Sequence, residues 1–177
     1  IVRSVSGGDA VREGVEWKDR DAVMCIVKHW EKEEYLCSTW TGADIRTFVS
    51  GGIEQGETPE EAGVREIKEE TGFTDAKFVR QVGGISTIEF FHQIKKTNVR
   101  AKFRYLYFEL QSGAQEPVAA EEAGRHTVTW KKAAEIPGFL NINEREALWR
   151  RFLHGAEIYT GEGYLINSNE YSGISTE

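Results

Sequence analysis

The sequence predicts an α/β fold of the α+β kind, a mixed β-sheet with helices packed on its faces, and three observations carry that prediction. Apolar segments rich in Val, Ile and aromatic residues recur along the chain at strand length. One central segment, residues 58–72, carries a full set of helix start and stop signals, and a shorter helical pattern lies late in the chain. With 177 residues the chain suffices for about one domain with a sizeable core.

Residues 1–20 are Gly-rich and charged with little periodicity, and are expected to form an arm or linker. The run 21–28 (DAVMCIVK) has the composition of a buried strand, 29–34 reads as a polar turn, and 35–40 completes a hairpin. Residues 47–49 form a short strand entering the Gly51-Gly52 turn. The helix after it has Thr58 as N-cap, Pro59 at its first position, Glu61 three residues past the cap and Gly72 just beyond its end. The period then becomes strand-like over 77–82, 87–94 and 99–110, with a hairpin turn at 95–98 and a bulge at Gly83-Gly84. Residues 111–125 read as an acidic loop, 127–130 as a strand, and 131–136 as a short helix ended by Pro137-Gly138. Asn143 with Glu146 makes a capping box for a last helix to about Leu153, with Ala147, Leu148 and Phe152 on one face.

Composition excludes several classes of function. Lys and Arg number 22 against 29 Asp and Glu, a net charge of −7, so no overall field gathers polyanions and non-specific nucleic-acid binding is disfavoured. An apolar fraction of 40% with 11% aromatics is too rich for a disordered chain. The longest apolar run, Ala22 to Val27, falls far short of the roughly 20 residues that cross a bilayer, and no basic-then-apolar leader pattern is present. Cys25 and Cys37 lack metal or redox spacing and read as buried thiols, which suggests a reducing, cytoplasmic setting. Because the sequence starts at Ile1, a fragment or a processed product is expected.

The chemistry concentrates in residues 51–73, GGIEQGETPEEAGVREIKEETGF. At about 100° per residue, Glu66, Glu69 and Glu70 share an arc of roughly 100° on the central helix, with Ala62 between them. Like charges so spaced cost roughly 0.2–0.5 kcal/mol per pair. A hard divalent cation offsets that repulsion, and Mg²⁺ prefers a few carboxylates plus waters and substrate phosphates. Val64, Ile67 and Thr71 occupy the adjoining arc, which would seat the helix on the sheet and aim the carboxylates outward.

This stretch resembles the signature box of the Nudix hydrolases at all nine of its specified positions, from Gly51 and Glu57 through Arg65-Glu66-Ile67 and Glu69-Glu70 to Gly72-Phe73. Ser50 departs from the Pro that many members carry there, and the likeness extends loosely from about Asp21 to Leu153, within a domain expected over 21–155. The resemblance implies a three-layer α/β/α sandwich that hydrolyses nucleoside diphosphates linked to another group, with Mg²⁺ as cofactor and Mn²⁺ as a substitute. It makes Glu66, Glu69 and Glu70 the metal ligands with the Gly51 carbonyl as a fourth, and it makes Arg65, reaching Glu69 and Glu57, the group that orients them. The general base stays open between Glu70 and an acid of the loop, Glu121 or Glu122. Many members pair as homodimers, although nothing in the chain demands it.

Other residues carry weaker signals. Arg46, just before the box, is a candidate for a substrate phosphate. Trp30, Trp40, Phe90 and Phe91 could stack a base but read first as core, and His92 and His126 show no spacing that signals metal binding or nucleophile activation. The tail, 156–177, is different in kind. Its Tyr159-Thr160-Gly161-Glu162-Gly163 run, followed by Asn167-Ser168 and Gly173, resembles the editing domain of leucyl-tRNA synthetases. That implies a domain inserted in, or cut from, a synthetase-like polypeptide, and a rival function as a non-catalytic insertion module. A nucleotide sensor that binds without turnover is the third reading.

Overall fold

The computed structural model describes residues 2–4, 7–42, 44–141, 149, 152, 153, 158, 159, 165 and 166. Its centre is strand β2 (Trp17–Lys28), whose alternation of side chains divides the core in two. Val23, Cys25 and Val27 face one side of the sheet, and Met24 and Ile26 face the other. Around it lie β1 (Val2–Ser4), β3 (Glu34–Trp40), β4 (Arg46–Thr47), β5 (Val49–Gly52), β6 (Ala76–His92), β7 (Thr97–Leu110) and β8 (His126–Lys132). The strand order is β1-β6-β7-β2-β3-β4, with β5 added to β2 and β8 to β3. The β1/β6 and β2/β7 pairs are parallel and the others antiparallel, so the sheet is mixed.

The hairpin expected between 21–28 and 35–40 is corrected: β2 and β3 pair only at Lys28 and Tyr35. Between Ala22 and Cys25 that edge of β2 is taken by β5, while β3 pairs along its length with β8. The sheet therefore splits and curls, opening a cleft where β5 ends. Two pieces of the expected arm join the sheet, Val2–Ser4 along β6 and residues 17–20 along β7. The two strands expected over 77–94 are one strand, β6, with register shifts between Phe78 and Arg80 and between Gln81 and Ile85. Gly83 sits in the second shift at φ +69°, the bulge expected of that pair of glycines.

Helix α1 (Pro59–Thr71) forms as its local signals direct. The Thr58 hydroxyl accepts from the Glu61 N–H at 3.2 Å, and the Thr58 N–H donates to the Glu61 carboxylate at 2.9 Å. Gly72, at φ +81°, ends it. Its inner face, which includes Ala62, Gly63 and Ile67, packs on Val23, Cys25, Leu106 and Phe108. Val64 was expected on that face but lies at its rim, 38% exposed. Gly63 makes the close approach instead, since a Cβ there would fall 2.4 Å from Cζ of Phe108. Gly63→Val is therefore expected to cost about 2–3 kcal/mol of stability through overpacking, despite Val's better helix propensity. Urea unfolding measures this, and an unchanged midpoint would mean that the helix is not so tightly seated.

On the opposite face, Met24, Ile26, Tyr35, Phe48 and Tyr107 are covered by Ile136, Leu140 and Trp149, with Phe152 packed against them. A 3-10 turn (Ala133–Glu135) leads into α3 (Ile136–Phe139). Pro137 thus lies in the first turn of a helix and does not end one, as its missing N–H allows. The layers are α1, the sheet, and this second cover, which makes the expected three-layer sandwich. Trp149, Phe152 and Leu153 have helical backbone, while the Asn143 and Glu146 capping box and Ala147 and Leu148 lie outside the described residues. In the tail, β9 (Ile158–Tyr159) pairs antiparallel with β10 (Leu165–Ile166). The stretch expected as an acidic loop contains a short helix, α2 (Ala120–Arg125), which carries Glu121 and Glu122. Both cysteines are free and buried. Among the described residues no helix is long and apolar enough to cross a membrane.

Candidate active site

Helix α1 delivers its carboxylates to the cleft at different depths. The side chains of Glu66 and Glu70 are only 12% and 4% exposed, whereas that of Glu69 is 48% exposed. The outward aim expected for the three leaves only Glu69 well exposed to solvent. Packing accounts for the difference, because the turn that buries Gly63 and Ile67 on the sheet carries Glu66 and Glu70 down against β5. The fit is tight enough to require glycine: a Cβ on Gly51 would lie 1.9 Å from Cδ of Glu66.

Arg65 ties the group together. Its Nε and Nη2 donate to the two oxygens of Glu57 at 2.8 and 3.0 Å, Nη1 donates to Glu66 at 2.7 Å and Glu69 at 3.2 Å, and Nη2 also reaches the Gly52 carbonyl at 2.7 Å. One guanidinium thus spans the glycine turn, the loop and the helix, as a planar fork can. Glu57 does not line the cleft; it sits behind Arg65 and also accepts from the Glu54 N–H at 2.9 Å. Arg65 holds the Glu57 carboxyl below its usual range.

Electrostatic demand falls on Glu70. Burial, then repulsion from Glu66, pushes its carboxyl up to about 8, against the Ser50 N–H that it accepts. Its Oε2 is buried and has no partner among the described residues. Glu66 is raised for the same first reason, with the Arg65 hydrogen bond opposing. A buried carboxylate with an orphaned oxygen and a part-buried one, beside a glycine backbone, form an all-oxygen donor set of the kind that suits a hard divalent cation. The fit is conditional on a rearrangement, since no three metal-ligating groups are drawn into one cluster among the described residues. Arg65 occupies Glu66 and Glu69 instead, and a cation would share or replace that contact.

The cleft is about 600 Å³ and extends from Arg20 and Gly51 past the α1 carboxylates to Glu122, Arg125 and His126. Glu122 lines it, 3.7 Å from Nε2 of His126 and 2.8 Å from Nη1 of Arg125. Glu121 turns away to an exposed pair with Arg125. Arg46 is not brought to the cleft, because its guanidinium is held by Asp44 and, at 2.8 Å, by the Phe139 carbonyl.

The cleft also takes in Arg20, Arg125 and His126, which the sequence reading leaves out of the site, and Trp40, which it weighs for stacking a base but reads first as core. His126 has no spacing in the sequence that signals metal binding or nucleophile activation, yet its Nε2 lies 3.9 Å from Glu70. Burial lowers its pKa, with Glu122 opposing. A signal for Trp40 and His126 lies in the alternation of β3 and β8. Leu36, Val128 and Trp130 pack on the α1 side, so continuing that face places Trp40 and His126, which are register partners, at its open end. Trp30, by contrast, packs with Phe73 and Trp130 as core reasoning expects.

Three solved structures show the same fold at low identity. An Ap4A hydrolase from C. elegans superposes with a TM-score of 0.57 at 16% identity, covering 77% of this chain and 97% of its own. The E. coli dihydroneopterin triphosphate pyrophosphohydrolase gives 0.58 at 17%, covering 77% and 96%. A MutT protein from Methanosarcina mazei Go1 gives 0.55 at 18%, covering 81% and 98%. No curated protein matches the chain. The synthetase resemblance of the tail finds no support in these comparisons. The NUDIX domain model matches residues 17–150, which contain α1, the glycine turn and the whole carboxylate cleft, and the chain therefore belongs to the Nudix family.

Proposed function

We propose that this chain is a Mg²⁺-dependent hydrolase of a phosphoanhydride bond in a nucleoside diphosphate linked to another group, such as a nucleoside triphosphate, a dinucleotide or a nucleotide sugar. The observation that carries the proposal is the buried Glu70, with its orphaned oxygen, and the part-buried Glu66 beside Gly51 in a cleft of nucleotide size. The structural neighbours include an Ap4A hydrolase and a dihydroneopterin triphosphate pyrophosphohydrolase, which supports the same reaction class. The catalytic unit, expected over 21–155 with 1–20 as an arm, is proposed to begin earlier, at Trp17 where β2 starts, and to end before the tail of 156–177.

Glu66, Glu69, Glu70 and the Gly51 carbonyl would hold the cation, with Mn²⁺ as a substitute for Mg²⁺. The bound ion supplies neutralisation of the phosphate chain and lowers the pKa of a water. Arg65, anchored by Glu57, is a positioning residue that sets the carboxylates in place. The proposed general base is Glu122 in preference to Glu121, because Glu122 lines the cleft. It takes the proton from the attacking water, and Arg125 holds it in place. Glu122→Gln is then expected to lower kcat by about 10²-fold with KM little changed, while Glu121→Gln leaves both near wild type. Steady-state kinetics of the two variants decide this, and equal effects would remove Glu122 from the role.

The reaction itself is tested by following phosphate, pyrophosphate and nucleoside monophosphate release from nucleoside triphosphates, dinucleoside polyphosphates, nucleotide sugars and NADH. Turnover with Mg²⁺ that EDTA abolishes is the expected result. No turnover on any member of the panel would overturn the proposal.

A further inference from the structure

Three arginines line the cleft, and two are already committed. Arg65 is bound to Glu57, Glu66, Glu69 and the Gly52 carbonyl, and Arg125 to Glu121 and Glu122. Arg20 has no carboxylate or carbonyl partner among the described residues, in a cleft whose other lining charges are mostly acidic. Its position is nevertheless fixed. The backbone of residues 17–20 is paired in parallel with β7, Arg20 opposite Ala101, and β5 lies alongside from Ala22 onward. The guanidinium rests against Gly52, where a Cβ would fall 3.1 Å from both Nε and Nη2. Gly51 and Gly52 therefore make room for different groups: the first for the Glu66 carboxylate, the second for the Arg20 guanidinium. Successive residues of a strand face opposite ways, so the two groups flank the end of β5 from its two sides.

We propose that Arg20 is the substrate's phosphate clamp, donating to the non-bridging oxygens of the phosphoryl group that the α1 carboxylate site does not hold. This inference rests on the hydrolase reading above and deepens it by assigning the second end of the phosphate chain. An anion entering a cleft rich in carboxylates needs a cation that is not already neutralised. Arg20 is the cleft arginine that meets that need, and its planar fork suits a phosphate. The arrangement selects substrates with at least two adjacent phosphoryl groups, one over Glu66 and Glu70 and one over Arg20.

The test is the affinity of methylenediphosphonate, a non-hydrolysable phosphate chain without a base, measured by calorimetry in the presence of Ca²⁺. Arg20→Ala is expected to weaken binding at least ten-fold, and Arg20→Lys by less, because Lys keeps the charge but not the fork. Lys18→Ala, which removes an equal charge from the same strand outside the cleft, is expected to bind as wild type. Melting temperatures of all three variants check that the fold is retained. Arg20→Ala binding as tightly as wild type, an equal loss in Lys18→Ala, or no binding by the wild-type chain would overturn the assignment. Hydrolysis distinguishes the two readings. Turnover with an unchanged KM in Arg20→Ala sinks the clamp alone, whereas Arg20-dependent binding without turnover in the wild type sinks the hydrolase alone.

Discussion

Replacing Arg65 with Ala is expected to cost about 2–4 kcal/mol of stability and to lower turnover by more than an order of magnitude. The guanidinium makes five hydrogen bonds, to Glu57, Glu66, Glu69 and the Gly52 carbonyl. Its removal leaves Glu57 and Glu66, 14% and 12% exposed, without their counter-charge. Breaking a buried pair by deleting one partner strands the other, at about 3–5 kcal/mol when fully buried. The cost here falls below that range because the cleft admits water, which screens the loss. Arg65→Lys is expected to recover part of the stability, since an ammonium keeps the charge but cannot span Glu57 and Gly52 as a fork does. Thermal melts and steady-state kinetics of both variants measure this. A wild-type melt for Arg65→Ala would show that the network does not organise the site.

The second large effect is a pH dependence that Glu70 imposes on the metal-free protein. Its folded pKa, about 8, lies above the ordinary value of 4.5. Between those values the folded state holds a proton that the unfolded state has lost, so stability falls as pH rises. The contribution is fully present below about pH 4.5 and is lost by the time pH has passed about 8. At 1.36 kcal/mol per unit the loss is of the order of 5 kcal/mol, or roughly 10–20 °C in Tm for a domain of this size. In EDTA, the wild-type Tm should therefore decline from pH 5 to pH 9. Glu70→Gln, whose amide cannot ionise, should show a flatter profile and exceed the wild type at pH 9. A wild-type Tm that rises over the same interval would contradict the burial of Glu70.

Much of α1 was legible in the sequence because its determinants are local. Thr58, Pro59, Glu61 and Gly72 act within a turn or two of their own positions, and the helical period alone puts Glu66, Glu69 and Glu70 on one arc. What the sequence left open depends on distant partners. The depth of Glu66 and Glu70 follows from how closely Gly63 approaches Phe108, and the residue spacing within α1 does not report that distance. The hairpin expectation failed for a similar reason: nothing near residues 29–34 announces that β5 will occupy the edge of β2. Trp40 and His126 reach the cleft through the register of β3 with β8, elements about 90 residues apart in the chain. Arg46 carried the right chemistry, but the Phe139 carbonyl and Asp44 claim it.

The central claim is that Glu66, Glu69, Glu70 and Gly51 form a divalent-cation site, and Mn²⁺ binding followed by electron paramagnetic resonance at pH 8.5 tests it most directly. The wild-type chain should take up Mn²⁺, Mg²⁺ should displace it, and Glu70→Gln should weaken the affinity at least ten-fold while keeping its folded melt. Equal Mn²⁺ affinity in the wild type and Glu70→Gln, or none in either, would contradict the account.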